Sequence, residues 1–407
     1  MANLKLVGVN KVYPSGKAAL FDINLTSSDG EFIAVTGGAG SGKSTLIRVI
    51  AGLEDATSGD IYIGDKLVND MSSKERDVAV IFAGNTLNQS VTVAENIAYG
   101  LKIRNVPAAV SQQRVNAAAE ILGLSDVLQR KPKTITAAQR LLACYARAMV
   151  REPKLYLFDD PIAGLDDKLR NEMRNVFVNL QARVKGTFIY ATKSISEAMS
   201  MANRIVILCD GFIQQVDTPR NLYDYPANAY VAFFVGSPTI NFIRGAEAVE
   251  EDGCVKIVYD GKKFAVPESI VARWQNKDEY IGTGRKIIAG IRPEDISVGA
   301  DGAQFEGTVS AFEETEAGKL AEVTISKNVS LELFMAKPEK GAAVKLCADL
   351  SHLYLFDEET QLTLLSRDGG YIPCANNSEA DYVPPAKGEM EARKKALEPK
   401  AENKKKK

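Results

Sequence analysis

The sequence predicts an α/β domain followed by a smaller all-β domain, and three features carry that expectation. From Met1 to about Gly236, short apolar runs alternate with helical patterns, the alternation that builds a mostly parallel sheet covered by helices. One of those runs feeds a glycine-rich loop at residues 37–44 and then a helix. Beyond Ser237-Pro238 the helical pattern gives way to strands separated by short turns. At 407 residues the chain is too long for one compact core, so two domains and a tail suit its length.

Leu4–Val9 reads as a first strand and Glu31–Thr36 as a second, the latter running into the glycine-rich loop and a helix at Ser44–Leu53. Leu155–Phe158 is an apolar strand ending in two aspartates, and Thr187–Ala191 is another buried strand. Arg204–Leu208 and Phe212–Val216 flank Asp210-Gly211, a hairpin signal because both turn residues tolerate positive φ. In the second half, Val255–Tyr259 and Lys263–Val266 flank Asp260-Gly261, while Gly307–Phe312 and Glu322–Ser326 flank Ala317-Gly318. These pairs are the hairpins of a small barrel or sandwich. The expected limits are residues 1–236 and 237–366. Residues 367–407, polar, rich in Pro, Lys and Glu and ending in Lys404–Lys407, are expected to be a disordered tail.

Composition narrows the function classes. With 45% hydrophobic and 25% charged residues and a net charge of −2, the chain lacks the basic excess that nucleic-acid binding leaves, so no nucleic-acid partner is expected. Cys144, Cys209, Cys254, Cys347 and Cys374 are scattered without metal-ligand spacing, as reduced thiols of a cytosolic protein are. No secretory signal opens the chain. No apolar run approaches the roughly 20 residues that span a bilayer, so a membrane role requires a partner. The single histidine, His352, is expected to be a packed core residue.

Gly37-Gly38-Ala39-Gly40-Ser41-Gly42-Lys43-Ser44 matches G-x-x-x-x-G-K-[ST]. Glycines let successive backbone N–H groups curl round an anion. The lysine then reaches the β and γ oxygens, the serine ligates Mg²⁺, and the following helix points its positive end at the charge. With a strand before it and a helix after it, this loop is a P-loop, and ATP or GTP is its expected ligand; Thr45 belongs to the same site. Leu155-Tyr156-Leu157-Phe158-Asp159 places a carboxylate at the end of an apolar strand, which makes Asp159 the second expected Mg²⁺ ligand.

From residue 3 to about 366 the chain resembles the ATPase subunits of ABC importers for maltose and related sugars. The segments that carry the resemblance are Val12-Tyr13, Arg76–Ala79, Val91–Lys102, Arg147-Ala148, Arg151–Lys154 and Leu165-Asp166. In the second domain they are Ser237-Pro238 through Asn241-Phe242, Gly290–Asp295 and His352 with Leu355–Asp357. The resemblance implies an ABC ATPase domain followed by an OB-like (TOBE) domain for dimer contact and regulation. It implies ATP and Mg²⁺ as cofactors, with Tyr13 stacking on adenine and residues 76–79 and 91–102 facing the membrane subunits. Two ATPase subunits would form a head-to-tail dimer, each ATP held between one P-loop and the other subunit's signature loop. Two membrane-spanning permease subunits, and indirectly an extracytoplasmic solute-binding protein, complete the expected assembly at the cytoplasmic face of the membrane.

Five positions depart from the family pattern. The expected glutamine is Ala83, which cannot touch Mg²⁺ or water. The signature, normally Leu-Ser-Gly-Gly-Gln, is Ile135-Thr136-Ala137-Ala138-Gln139, with two methyl groups where a γ-phosphate approaches backbone N–H groups. The catalytic glutamate is Asp160, shorter by a methylene and withdrawn by about 1 Å. The expected histidine is Lys193, which donates but cannot accept. Ala163-Gly164 replaces Ser-Asn before Leu165-Asp166. Together these predict retained ATP binding with weakened hydrolysis. Three arrangements stay open: pairing with a complete ATPase subunit, a non-hydrolysing structural or regulatory subunit, and a slow homodimeric ATPase.

Overall fold

The computed structural model describes residues 2–82, 84, 87–315, 317–367 and 392. Ala83 and nearly all of the tail beyond Arg367 lie outside them. The chain forms two compact units, one ending at Pro219 and the other beginning at Arg220.

Among the described residues the first unit holds two sheets. Strands β1 (Leu4–Val12), β2 (Ala18–Thr26), β4 (Ser58–Ile63) and β5 (Lys66–Leu67) form an antiparallel sheet in the order β2-β1-β4-β5. The second sheet contains β3 (Phe32–Gly37), β6 (Val78–Phe82), β7 (Leu155–Asp159), β8 (Thr187–Ala191), β9 (Arg204–Cys209) and β10 (Phe212–Asp217). Its order is β10-β9-β3-β8-β7-β6, parallel except for the β9–β10 hairpin predicted at Asp210-Gly211. β3, β7 and β8 are buried at every position, the signature of central parallel strands covered on both faces. Among the described residues, six α-helices lie wholly within this unit: α1 (Lys43–Ala51), α2 (Val93–Ile103), α3 (Ala108–Ile121), α4 (Ala137–Met149), α5 (Asp167–Val184) and α6 (Ile195–Met201). An aromatic cluster ties helices to the sheet. Phe158 lies 5.1 Å from Phe188 and 5.7 Å from Phe177, and Tyr145 of α4 lies 4.6 Å from Phe177. Such pairs add about 0.5–1.5 kcal/mol each beyond area burial.

Register brings the strand ends together. Gly37 of β3 stands opposite Leu208, Ala191 of β8 opposite both Val35 and Asp159, and Asp159 of β7 opposite Phe82. The C-terminal ends of the five parallel strands β9, β3, β8, β7 and β6 therefore share one edge of the sheet, where ligands bind in open α/β folds. Arg76, 2% exposed, closes the far end of α1: its guanidinium donates to Val49 O at 2.8 Å and Ile50 O at 3.0 Å. A cation at a helix C-terminus satisfies orphan carbonyls and opposes the helix dipole.

The second unit includes α7 (Pro219–Asp224, of which only Pro219 lies in the first unit), α8 (Ala229–Val235) and α9 (Glu268–Val271). One five-stranded sheet contains β11 (Asn241–Glu251), β12 (Cys254–Tyr259), β13 (Lys262–Ala265), β14 (Ile287–Ile291) and β20 (Tyr354–Asp357). The other contains β15 (Ile296–Val298), β16 (Phe305–Thr315), β17 (Gly318–Ser326), β18 (Val329–Phe334) and β19 (Ala343–Ala348). Both expected hairpins form, β12–β13 around Asp260-Gly261 and β16–β17 around Ala317. His352 corrects an expectation: its side chain is 62% exposed, with Nδ1 2.9 Å from Asp295 Oδ1. It ends a 3₁₀ turn whose flanking Leu350 and Leu353 supply the buried contacts instead. The Asp295 hydrogen bond raises its pKa above 6.5.

Candidate phosphate-binding site

The loop at residues 37–44 leaves β3 and enters α1 through two positions that only glycine fills. Gly37 has φ 147°, and a Cβ there would stand 2.0 Å from Leu208 O. Gly42, the N-cap of α1, has φ 103°, and a Cβ there would stand 2.6 Å from Ala19 O. The loop is braced from β9–β10, where Gly211 N–H donates to Ser41 O at 3.0 Å. With this bracing the N–H groups at the start of α1 face outward, where an anion gains from both hydrogen bonds and the helix dipole.

Lys43 folds over the loop, its ammonium donating to Gly37 O at 2.8 Å, Gly38 O at 2.7 Å and Ser41 Oγ at 3.0 Å. Burial lowers its pKa, and Lys193 adds to the shift, while Asp160 and Asp159 oppose it. Ser44 Oγ donates to Asp159 Oδ1 at 2.7 Å. A hydroxyl and a carboxylate in contact beside a phosphate loop are the two protein oxygens that Mg²⁺ takes when phosphates and waters complete its shell. The residues fit the ion.

A cleft of about 520 Å³ opens over the loop, lined by Gly40–Thr45, Tyr13, Lys193, Asp210 and part of the β1–β2 connection. Tyr13 is half-buried there; its hydroxyl lies 3.1 Å from Thr45 Oγ1, and the Lys11 ammonium sits 5.2 Å from its ring centre. Asp160 follows Asp159 in a left-handed conformation (φ 52°), its N–H donating to Ala191 O at 2.8 Å. Aspartate tolerates that region better than most residues. Burial raises the Asp160 pKa, and Lys193 and Lys43 pull it back. The structure thus gathers Tyr13, the loop, Thr45, Asp159, Asp160 and Lys193 at one sheet edge. Thr136, Ala137, Ala138 and Gln139 do not line this cleft. They open α4, where Thr136 Oγ1 accepts from Gln139 N–H at 3.2 Å and Gln139 Oε1 accepts from Thr136 N–H at 3.0 Å.

The ABC transporter family matches residues 20–163, and the MalK OB fold domain matches residues 236–296. The oligosaccharides import ATP-binding protein MsmX of Bacillus subtilis is 38% identical over 372 residues, 89% of this chain and 100% of that protein. The chain belongs to the ABC-transporter family of ATP-binding proteins. As a member of that family it joins an ABC ATPase domain to an OB-fold domain. The sn-glycerol-3-phosphate import ATP-binding protein UgpC of Burkholderia thailandensis is also 38% identical, over 88% of this chain and 99% of that one. Among solved structures, cbiO1 from Clostridium perfringens, part of the ABC transporter complex cbiONQ, covers 54% of this chain. It superposes with a TM-score of 0.51 at 26% identity, and 89% of that chain is covered.

Two features of this ABC protein's site escaped the sequence. Asp210-Gly211 reads as a hairpin turn, and nothing local shows that it also braces the phosphate loop. Glu197, 3% exposed, accepts from Thr192 Oγ1 at 2.8 Å and from Tyr190 Oη at 3.3 Å, fixing the segment before Lys193. The acidic residue is visible in the sequence, but its burial is not.

Proposed function

We propose that this chain is the ATP-binding subunit of a carbohydrate importer that grips ATP through residues 37–44, hydrolyses it slowly, and pairs with a complete ATPase subunit. Its ATP-binding domain would be residues 1–236 and its regulatory domain residues 237–366, with the 367–407 tail outside both. The observation that carries the reading is the assembled grip: Lys43 over the loop and Ser44 against Asp159 at 2.7 Å. The cargo class rests on relatives over nearly their full length, one named for oligosaccharides and another for sn-glycerol-3-phosphate. Ser44 and Asp159 would hold Mg²⁺, which when bound supplies positive charge to the β and γ oxygens. The protein's own groups then position the phosphates, while Asp160 and Lys193 are poor substitutes for a glutamate base and a histidine acceptor. Ala83 would add to the deficit. Thr136, Ala137, Ala138 and Gln139 would serve the partner's nucleotide, and Tyr13 would stack on adenine.

Among the described residues no helix is long and apolar enough to cross a membrane. Attachment at the cytoplasmic face would run through a second cleft of about 490 Å³ between β6, α2 and α4. Tyr99, Ile103 and Leu53 line it, 61%, 54% and 50% exposed, beside Lys74, Arg104, Arg147 and Arg151. An exposed apolar floor with a charged rim is the surface of a docking site. Tyr99→Glu with Ile103→Glu is expected to cut co-purification with the membrane-spanning subunits by about tenfold or more while leaving ATP affinity unchanged. Undiminished co-purification would remove the cleft from the account. In the same preparations, turnover of the mixture with a complete ATPase subunit that never exceeds the partner's own would favour the non-hydrolysing alternative.

A further inference from the structure

We propose that Arg170 is a positioning residue that closes a ring of contacts through Asp160, tying the loop that enters α5 to the turn that leaves β8. The inference rests on reading this sheet edge as the ATP site and concerns what holds Asp160 in place there.

The ring can be followed atom by atom. Asp160 N–H donates to Ala191 O at 2.8 Å, at the end of β8. The next residue, Thr192, donates from Oγ1 to Glu197 Oε2 at 2.8 Å. Glu197 is buried, and its other carboxylate oxygen lies 3.7 Å from Arg170 Nε. The Arg170 guanidinium also donates to Leu165 O at 3.0 Å. From Leu165 a turn leads back, with Leu165 N–H donating to Ile162 O at 3.1 Å and Ala163 N–H to Asp160 O at 3.3 Å.

Arg170 stands in the opening turn of α5, where a cation opposes the helix dipole, so its partners account for its place. Asp167 Oδ1 accepts from it at 2.8 Å, but Asp167 is exposed. Glu197 is buried and without a cation beside it would be a stranded charge. The Arg170 Nε–H is itself buried with no hydrogen-bond acceptor among the described residues, and the Glu197 carboxylate compensates it by charge. A guanidinium is a planar fork whose arms reach two elements at once, which an ammonium on a single stem does not. Asp160 gains in two ways. Its left-handed backbone (φ 52°) is of the kind that persists where the surroundings over-determine it. Burial raises its pKa, and Arg170 is among the cations that oppose the rise.

The test is amide hydrogen exchange on the full-length chain without nucleotide. The backbone N–H groups of Leu165, Leu169, Arg170, Thr192 and Ser194 all donate to protein acceptors, so both segments carry amides that report loosening. Glu197→Gln is expected to speed exchange by about tenfold at residues 165–170 as well as at 192–194, and Arg170→Met to do the same at both. The joint replacement strands no buried charge and should have no larger effect than either single one, because the two residues act through one contact. Amides of β3 should keep the parent's rates. Exchange that is unchanged, faster only in the segment carrying the substitution, additive in the joint variant, or faster in β3 as well overturns the inference. Calorimetry with ATP on the unaltered chain tests the grip separately: a chain that takes up no ATP rejects the grip, whatever the exchange rates show.

Discussion

Lys43→Ala is expected to lower ATP affinity by about 10²-fold or more, on the order of 3 kcal/mol. Two losses combine. The variant removes the one cation that the loop itself directs at the β and γ oxygens. It also unfastens the loop, because the Lys43 ammonium is the shared donor for Gly37 O, Gly38 O and Ser41 Oγ. The rest of the fold has no such dependence: the strand before the loop is buried throughout, and Gly211 continues to brace Ser41. Calorimetry measures the affinity. The only tryptophan, Trp274, is buried in the second unit, so its fluorescence reports whether that unit remains folded. Affinity unchanged by Lys43→Ala would contradict the role given to this loop.

The second large effect is a gain. Joint replacement Ala83→Gln, Asp160→Glu and Lys193→His is expected to raise ATP turnover by about 10²–10³-fold. Asp160 carries the clearest share, because its backbone is anchored at φ 52° by the N–H bond to Ala191 O, so the side chain alone must span the distance to a reacting water. Restoring one methylene returns about 1 Å of reach, and a displacement of that size can cost 10²-fold. Histidine at 193 adds an acceptor that lysine lacks. Single replacements should each give less than the joint change, since groups that act as a unit do not contribute additively. Release of inorganic phosphate, followed with and without a complete partner subunit, measures the gain. Turnover that stays at the parent's level would show that these positions do not limit hydrolysis.

The legible part of this protein was local. The P-loop announces itself through residue types that only a curled backbone and a phosphate require, and the hairpins at Asp210-Gly211 and Asp260-Gly261 through residues that accept positive φ. Strands β3, β7 and β8 stood out as unbroken apolar runs. In the antiparallel sheet β2-β1-β4-β5 only β1 was legible, as the strand Leu4–Val9. The register between β1 and β2 shifts at several points, and Asp22 takes φ 45°, so the alternation that would mark β2 is interrupted. Thr136-Ala137-Ala138-Gln139 read only as an altered signature, although its spacing also writes a capping box that starts α4. His352 was misplaced because a short turn between two buried leucines has no periodicity to separate inward from outward positions. What joins Glu197 to Thr192, or Gly211 to Ser41, is tertiary. Contacts of that kind leave no mark on either residue.

The most direct test measures two quantities on one preparation of the unaltered chain: calorimetric binding of ATP, and steady release of phosphate in Mg²⁺. The account predicts saturable binding accompanied by turnover at least about 10²-fold slower than that of a complete homologous subunit measured alongside. Failure to bind ATP, or phosphate release as fast as the complete subunit's, would contradict it.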